Sequence, residues 1–306
     1  MIERWLTAVV ALGHGTGPAE LWGASLVGAV AYAVRSARRA GLDPRRAYWG
    51  AIIALAFGLV GGRLLGLVVY GVGQPLSWRE IVVGGQSWYG GLLAGTLAAL
   101  AYFRLCGAPV LRFADAMAPA GALGYALGRL GCFLNGDDYG VLTHGDFAVR
   151  YPADTEAFVA QGDRGLIAPL QALSLPVLPI QLLHAALGLA LFFLLRRPAA
   201  APGQRLGLFV LGYGVGRFLL EFGRGDFSAT VGRLSLHQAI SLVLIAVGLY
   251  VCGSRVRVSR TRRFVERSVE RFSTEGQMNQ LMEIWSDSDA HQAGALLAGS
   301  PCGDER

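Results

Sequence analysis

The sequence predicts an all-α polytopic membrane protein: seven transmembrane helices, with a small extracytoplasmic head inserted between the fourth and the fifth. Three observations predict it. Hydrophobic residues fill 53% of the 306 positions and charged residues only 16%, against roughly 25% charged in soluble domains, and the mean hydropathy is +0.45. Seven apolar runs approach the ~20 residues that a helix needs to cross hydrocarbon. The connections between those runs alternate in charge.

The runs fall at about 20–34, 48–71, 86–103, 113–134, 178–195, 206–223 and 234–252. Segments of this polarity must be helical in lipid, because no water is there to satisfy the backbone. Loop one holds Arg35, Arg38, Arg39, Arg45 and Arg46. Loop three holds Arg104 and Arg112, and loop five holds Arg196, Arg197 and Arg205. The tail begins with Arg255, Arg257, Arg260, Arg262 and Arg263. With seven spans these four regions share one side, and the positive-inside rule makes it cytoplasmic, with the N-terminus outside and the C-terminus inside. The short apolar stretch Trp5 to Leu12 lacks the form of a cleavable signal, so the first span is expected to do the targeting.

The fourth connection, about 135–177, is the longest. It carries Asp137, Asp138, Asp146, Asp154, Glu156 and Asp163, and its prolines and glycines resist a long helix. It reads as a small cap over the bundle or as an unstructured loop, with Phe147 to Tyr151 as a candidate short strand. Residues 1–253 thus form one transmembrane domain and 254–306 an Arg-rich cytoplasmic tail. Residues 255–272 of that tail read either as a basic amphipathic helix on anionic lipid or as a solvated charge run. The net charge of +6 follows topology rather than a nucleic-acid surface. Cys106, Cys132, Cys252 and Cys302 have no metal-binding or disulfide-framework spacing, and no cofactor is indicated.

Arg63, Arg129 and Arg217 interrupt the apolar runs. An arginine at the centre of a span costs about 2.5–3.5 kcal/mol on insertion scales. The inferred topology puts all three in the outer halves of their helices, each after a glycine. The pairs Gly62/Gly66, Gly124/Gly128 and Gly212/Gly216 are spaced for close helix approach. Either each arginine pairs internally, as Arg217 would with Glu221 one turn on, or the three share an anion. A guanidinium suits a phosphate because its planar fork donates two parallel hydrogen bonds, and a phospholipid headgroup is the anion at that depth. Tyr89 and Tyr213 lie where they could donate to the same group. Gln181 reads as a ligand or as interhelical glue. Asn135, Asp137 and Asp138 follow Arg129 and read as residues that orient it or bind hydroxyls. His184, His237 and Cys132 read as packing residues.

The run Gly128-Arg-Leu-Gly-Cys-Phe-Leu-Asn-Gly-Asp-Asp-Tyr-Gly140 resembles the signature of bacterial prolipoprotein diacylglyceryl transferases. So, in family order over about 20–252, do Gly61-Gly-Arg-Leu64, Tyr89-Gly-Gly-Leu92, Pro179-Ile-Gln-Leu182, the stretch from Gly212 to Arg224, and Ser235 to Ser241. The resemblance implies a seven-span bacterial inner-membrane enzyme with a periplasmic head. It also implies transfer of diacylglycerol from phosphatidylglycerol to the lipobox cysteine of a prolipoprotein signal peptide, releasing glycerol phosphate. By position it makes Arg129 and Arg217 the essential arginines, with Tyr213 and Glu221 beside the second and Asn135 and Gly140 in the signature. On this reading Arg129 and Arg217 hold the phosphate and Arg63 tunes or packs beside them. Asn135, Asp137 and Gln181 line the headgroup site, and Tyr89 is the proton acceptor. Well-studied members have histidine at Tyr89, asparagine at Cys132, glutamate at Asp137, and Tyr-Glu where this chain has Leu183-His184. These departures motivate an alternative: a paralogue that binds or moves phospholipid without thiol transfer.

Overall fold

The computed structural model describes residues 1–70, 87–168, 171–197, 201–226, 230–231 and 234–254; the tail read as an amphipathic helix or charge run lies outside them. Among the described residues a helix stands at each of the seven apolar runs: α2 (Thr16–Arg39), α3 (Pro44–Tyr70), α4 (Trp88–Leu105), α5 (Val110–Asn135), α7 (Ile180–Leu195), α8 (Gln204–Leu220) and α9 (Leu236–Ser254). Two more, α1 (Ile2–Gly13) and α6 (Glu156–Asp163), lie outside those runs. Pro44–Val68, Gln204–Gly223 and Leu236–Ser254 are each long and apolar enough to cross a membrane by themselves, while Ile180–Leu195 is apolar but shorter.

Local chemistry sets the ends. Asp43 Oδ1 accepts from the Arg45 amide at 2.8 Å and Pro44 opens α3, the position where a missing N–H costs nothing. At the end of α5, Gly136 takes φ 74°, and its amide bonds Cys132 O at 3.0 Å, a left-handed stop that favours glycine.

Helix α5 is the hub, packing against α1, α2, α7 and α8, while α3 and α4 form the tightest pair. The expected Gly62 takes part in that pair, its carbonyl accepting from the Ser87 amide at 2.8 Å, but most of the close approach comes from glycines that the spacing did not single out. A Cβ on Gly61 would stand 2.2 Å from Ala94 Cβ, one on Gly90 2.3 Å from Gly61 O, and one on Gly95 2.6 Å from Ala54 O. Backbone meets backbone there. Gly212 and Gly216 instead accommodate Leu191 and Leu187 side chains, and Gly128 has open space around it.

The segment after α5 is packed. Tyr139, Val149, Tyr151, Ala157 and Val177 form a core with Phe133 of α5 and with Leu6 and Val10 of α1. The short apolar N-terminal stretch is thus the amphipathic clamp of this head: Arg150 bonds Glu3 at 2.9 Å and Thr7 Oγ1 at 3.1 Å. His14 spans Leu134 O at 3.1 Å and Asp154 at 3.0 Å. The candidate strand Phe147–Tyr151 forms only an isolated antiparallel bridge, Val149 to Val177. The longest regular piece of the head is the eight-residue α6, capped by Thr155 Oγ1.

Candidate functional site

Arg129 sits in the last two turns of α5, and Arg217 in the last turn of α8. Both are buried, at 7% and 2% exposure. Two side chains bridge them. The Arg129 guanidinium lies 5.3 Å from the Tyr125 ring centroid. Tyr125 Oη meets His184 Nδ1 at 2.7 Å, and His184 Nε2 meets Arg217 Nη1 at 3.4 Å. Arginine can only donate, so Nε2 must accept and the imidazole proton belongs on Nδ1. Nδ1–H then donates to Tyr125 Oη, which leaves the Tyr125 hydroxyl proton for another acceptor. Sequence reasoning took His184 for packing and gave Tyr125 no role; both stand at the centre of the seam.

Carboxylates surround the seam. Arg129 Nη1 pairs with Asp138, and Arg217 Nη1 with Glu221 at 2.7 Å. The Arg217–Glu221 pair is the internal pairing that the spacing suggested. Asp138 is shared: Arg224 Nη2 reaches its other oxygen at 2.6 Å and also pairs with Asp226. Burial opposes ionisation of Asp138, but the Arg129 and Arg224 guanidiniums outweigh it and hold the carboxyl well below the usual range. The Asp138, Asp226 and Glu221 carboxylates raise Arg224 further despite its desolvation. Arg224 was not singled out from the sequence, because it lies just past an apolar run. Asp138 carries a positive φ of 51°, tolerated better by aspartate than by most residues, and this turn aims its carboxylate between the two guanidiniums.

The arginines therefore converge, and each also has a carboxylate partner. Among the described residues their bonds run through Nη1, which leaves most of the five guanidinium N–H donors uncommitted there. Tyr213, buried, packs edge-on to Tyr125 at 5.2 Å, with Arg217 and Arg129 both among its charged neighbours. Tyr89 leans on His237 at 5.2 Å between ring centroids and has Arg217 as its nearest cation. The hydroxyls of Tyr89 and Tyr213 are buried with no hydrogen-bond partner among the described residues. Glu221 is braced by Ser235 Oγ at 2.9 Å and His237 Nδ1 at 3.2 Å.

The remaining candidates form a second node. Gln181, fully buried, donates to Asp137 O at 2.7 Å and contacts Tyr151 Oη at 3.1 Å. Asn135 donates to Asp137 Oδ2 at 3.1 Å. Burial, then the adjacent Asp138 charge, raises the Asp137 carboxyl, and its Oδ1 is buried without a partner among the described residues. Gly140 offers no side chain, and its amide is taken by Leu178 O at 3.0 Å. A Cβ there would lie 2.3 Å from Leu178 O and 2.9 Å from Gly223 O. It is the crossing point of three segments. Gly131 likewise makes room for Trp22, whose indole bonds Gly128 O at 3.3 Å. Arg63 is half-buried on α3. Cys132, Asp137 and Asp138 bring three donor atoms within 4.8 Å of one another, but two guanidiniums already hold Asp138 and oppose a cation.

A protein-family model described as prolipoprotein diacylglyceryl transferase matches residues 21–253. Relatives named phosphatidylglycerol–prolipoprotein diacylglyceryl transferase include that of Corynebacterium efficiens, 29% identical over 232 residues, 71% of this chain and 70% of that protein. That of Clostridium tetani is 29% identical over 74% of this chain and 87% of that protein. That of Legionella pneumophila is 30% identical over 63% and 73% respectively.

Proposed function

The chain belongs to the prolipoprotein diacylglyceryl transferase family, and we propose that it transfers a diacylglyceryl group from phosphatidylglycerol to the lipobox cysteine of prolipoproteins. The observation that carries this reading is the seam in which Arg129 and Arg217, from different helices, are joined through Tyr125 and His184. It supports a site for one phosphate. The Tyr213 hydroxyl, buried with no hydrogen-bond partner among the described residues, and the free proton of Tyr125 supply further donors around it.

The cysteine sulfur attacks the diacylglycerol carbon that bears the phosphate ester. The C–S bond forms, the C–O bond breaks, and glycerol phosphate leaves with the electron pair. Negative charge grows on the departing oxygen, so donors fixed in advance by Asp138 and Glu221 stabilise the transition state more than the ground state. Tyr89 is the proposed acceptor of the thiol proton. As a phenol it must pass its own proton on; His237, whose ring packs 5.2 Å away and whose Nδ1 faces Glu221, would take it on closing to hydrogen-bond distance. His184, with its lone pair turned to Arg217, orients Tyr125 and Arg217 instead. Asn135, Asp137 and Gln181 fix the turn that presents Asp138.

Seven spans, an outside N-terminus, a periplasmic head over about 135–177 and a cytoplasmic tail belong to the same proposal, supported by the alternation of arginine-rich loops. The test is release of glycerol phosphate from phosphatidylglycerol vesicles with a lipobox peptide. Release that requires the peptide's cysteine is expected. Lipid binding without release, in a fully inserted protein, would overturn the transfer reading.

A further inference from the structure

Away from this seam, α2 and α3 leave a groove of about 760 Å³ between them, within the roughly 300–1,000 Å³ of small-ligand sites. Its walls are facing stripes of the two helices. Val27, Ala31, Val34 and Arg38 recur at helical spacing on α2, and Tyr48, Ile52 and Leu55 on α3. The lining is apolar along its length and ends in Arg35, Arg38 and Arg39. Those three guanidiniums are exposed, and among the described residues none makes an ion pair or side-chain hydrogen bond. The nearby acid Asp43 is engaged by Arg46 at 3.5 Å and the Arg45 amide.

We propose that this groove binds one anionic phospholipid of the cytoplasmic leaflet, acyl chain along Val27 to Val34 and headgroup phosphate on Arg35, Arg38 and Arg39. The positive-inside rule accounts for arginines on that side but not for their gathering at the end of an apolar groove. Charge complementarity selects the occupant. Unpaired guanidiniums bind a phosphate in bidentate fashion, and an anionic headgroup lacks the ammonium by which a zwitterionic one would be repelled. The site lies on the opposite side of the membrane from the proposed transfer chemistry and does not depend on it.

The test uses the full chain in vesicles of equal parts dioleoyl-phosphatidylglycerol and dioleoyl-phosphatidylcholine. A diazirine amino acid replaces Leu26, at the groove rim, or Val247 on α9 as a control. Mass spectrometry of the photoadducts gives the ratio of the two lipids. At Leu26 the anionic lipid is expected in excess by about fivefold or more, the factor one well-placed guanidinium supplies at an anionic surface. At Val247 the ratio stays near one. Changing Arg35, Arg38 and Arg39 together to Gln brings the Leu26 ratio to that of Val247, and Arg38→Gln alone lowers it partway should the triple variant fold poorly. Equal ratios at the two positions in the unchanged protein, or a Leu26 excess that survives the Gln variants, would overturn the proposal.

Discussion

Replacing Arg129 by Gln removes a guanidinium while keeping a side chain of similar reach. In the structure that group is buried, pairs with Asp138 and lies over Tyr125. If it donates to the leaving phosphate as an oxyanion-hole donor does, its loss raises the barrier by about 2.7–4 kcal/mol, or 10²- to 10³-fold in rate. Stability should suffer less than the worst case. Breaking a buried ion pair costs roughly 3–5 kcal/mol when the surviving charge is stranded, but Asp138 keeps Arg224 at 2.6 Å, so the loss falls at or below the lower end. The assay is the initial rate of lipobox-peptide modification at saturating phosphatidylglycerol, with thermal unfolding measured in the same detergent. A rate down at least a hundredfold in a protein that still unfolds cooperatively is expected. Arg217→Gln should behave alike, since Glu221 retains Ser235 and His237. The double variant should lose much less than the product of the two, because both act on one group. A single variant that keeps more than a tenth of the wild-type rate would refute the reasoning.

Three further outcomes are expected. Tyr89→Phe keeps the ring against His237 and removes the buried hydroxyl, so turnover should drop at least tenfold, the lower part of the range for acid–base groups; near-normal turnover takes Tyr89 out of the mechanism. Gly140→Ala forces a Cβ to within 2.3 Å of Leu178 O, an overpacking that should cost about 1–3 kcal/mol, read as a lowered Tm with the rate falling alongside; an unchanged Tm argues against the three-segment crossing. The third concerns pH. The folded Asp138 carboxyl sits below its unfolded value near 3.9, so its stabilisation is complete above that pH and is lost as pH falls through and below it. The Tm advantage of the wild type over Asp138→Asn should be constant from pH 7 to about 4.5 and shrink below about 4; a gap that stays level to pH 3 contradicts the ion-paired assignment.

The helices were legible because apolar length and the absence of water in lipid leave the backbone few options. Arg129 and Arg217 were legible because an arginine in an apolar run needs a reason. A small cap at 135–177 was one of two readings, an unstructured loop the other, and its clamp by α1 was not foreseen: Leu6 and Val10 are ordinary apolar residues until Tyr151 and Val177 are seen beside them. His184 and Tyr125 were missed for the same cause. A lone histidine or tyrosine in an apolar helix looks like core, and only the crossing of α5, α7 and α8 turns the pair into a bridge. Glycine spacing alone pointed to Gly62, which does meet the start of α4, but not to Gly58, Gly61, Gly90 and Gly95, where the other backbone contacts lie. Which helices become neighbours decides that, and spacing along one helix does not reveal it. Asp138 was legible as a partner that could orient Arg129, whereas Arg224, which holds its other oxygen, escaped notice as a loop charge.

The account stands on one phosphate shared by two guanidiniums from separate helices. The measurement that tests it most directly is an experimental structure with phosphatidylglycerol bound. The account predicts the lipid phosphate within about 3 Å of both Arg129 and Arg217, with the Tyr125 hydroxyl turned toward it. A phosphate seated elsewhere, with Arg129 and Arg217 closed on Asp138 and Glu221 alone, would contradict it.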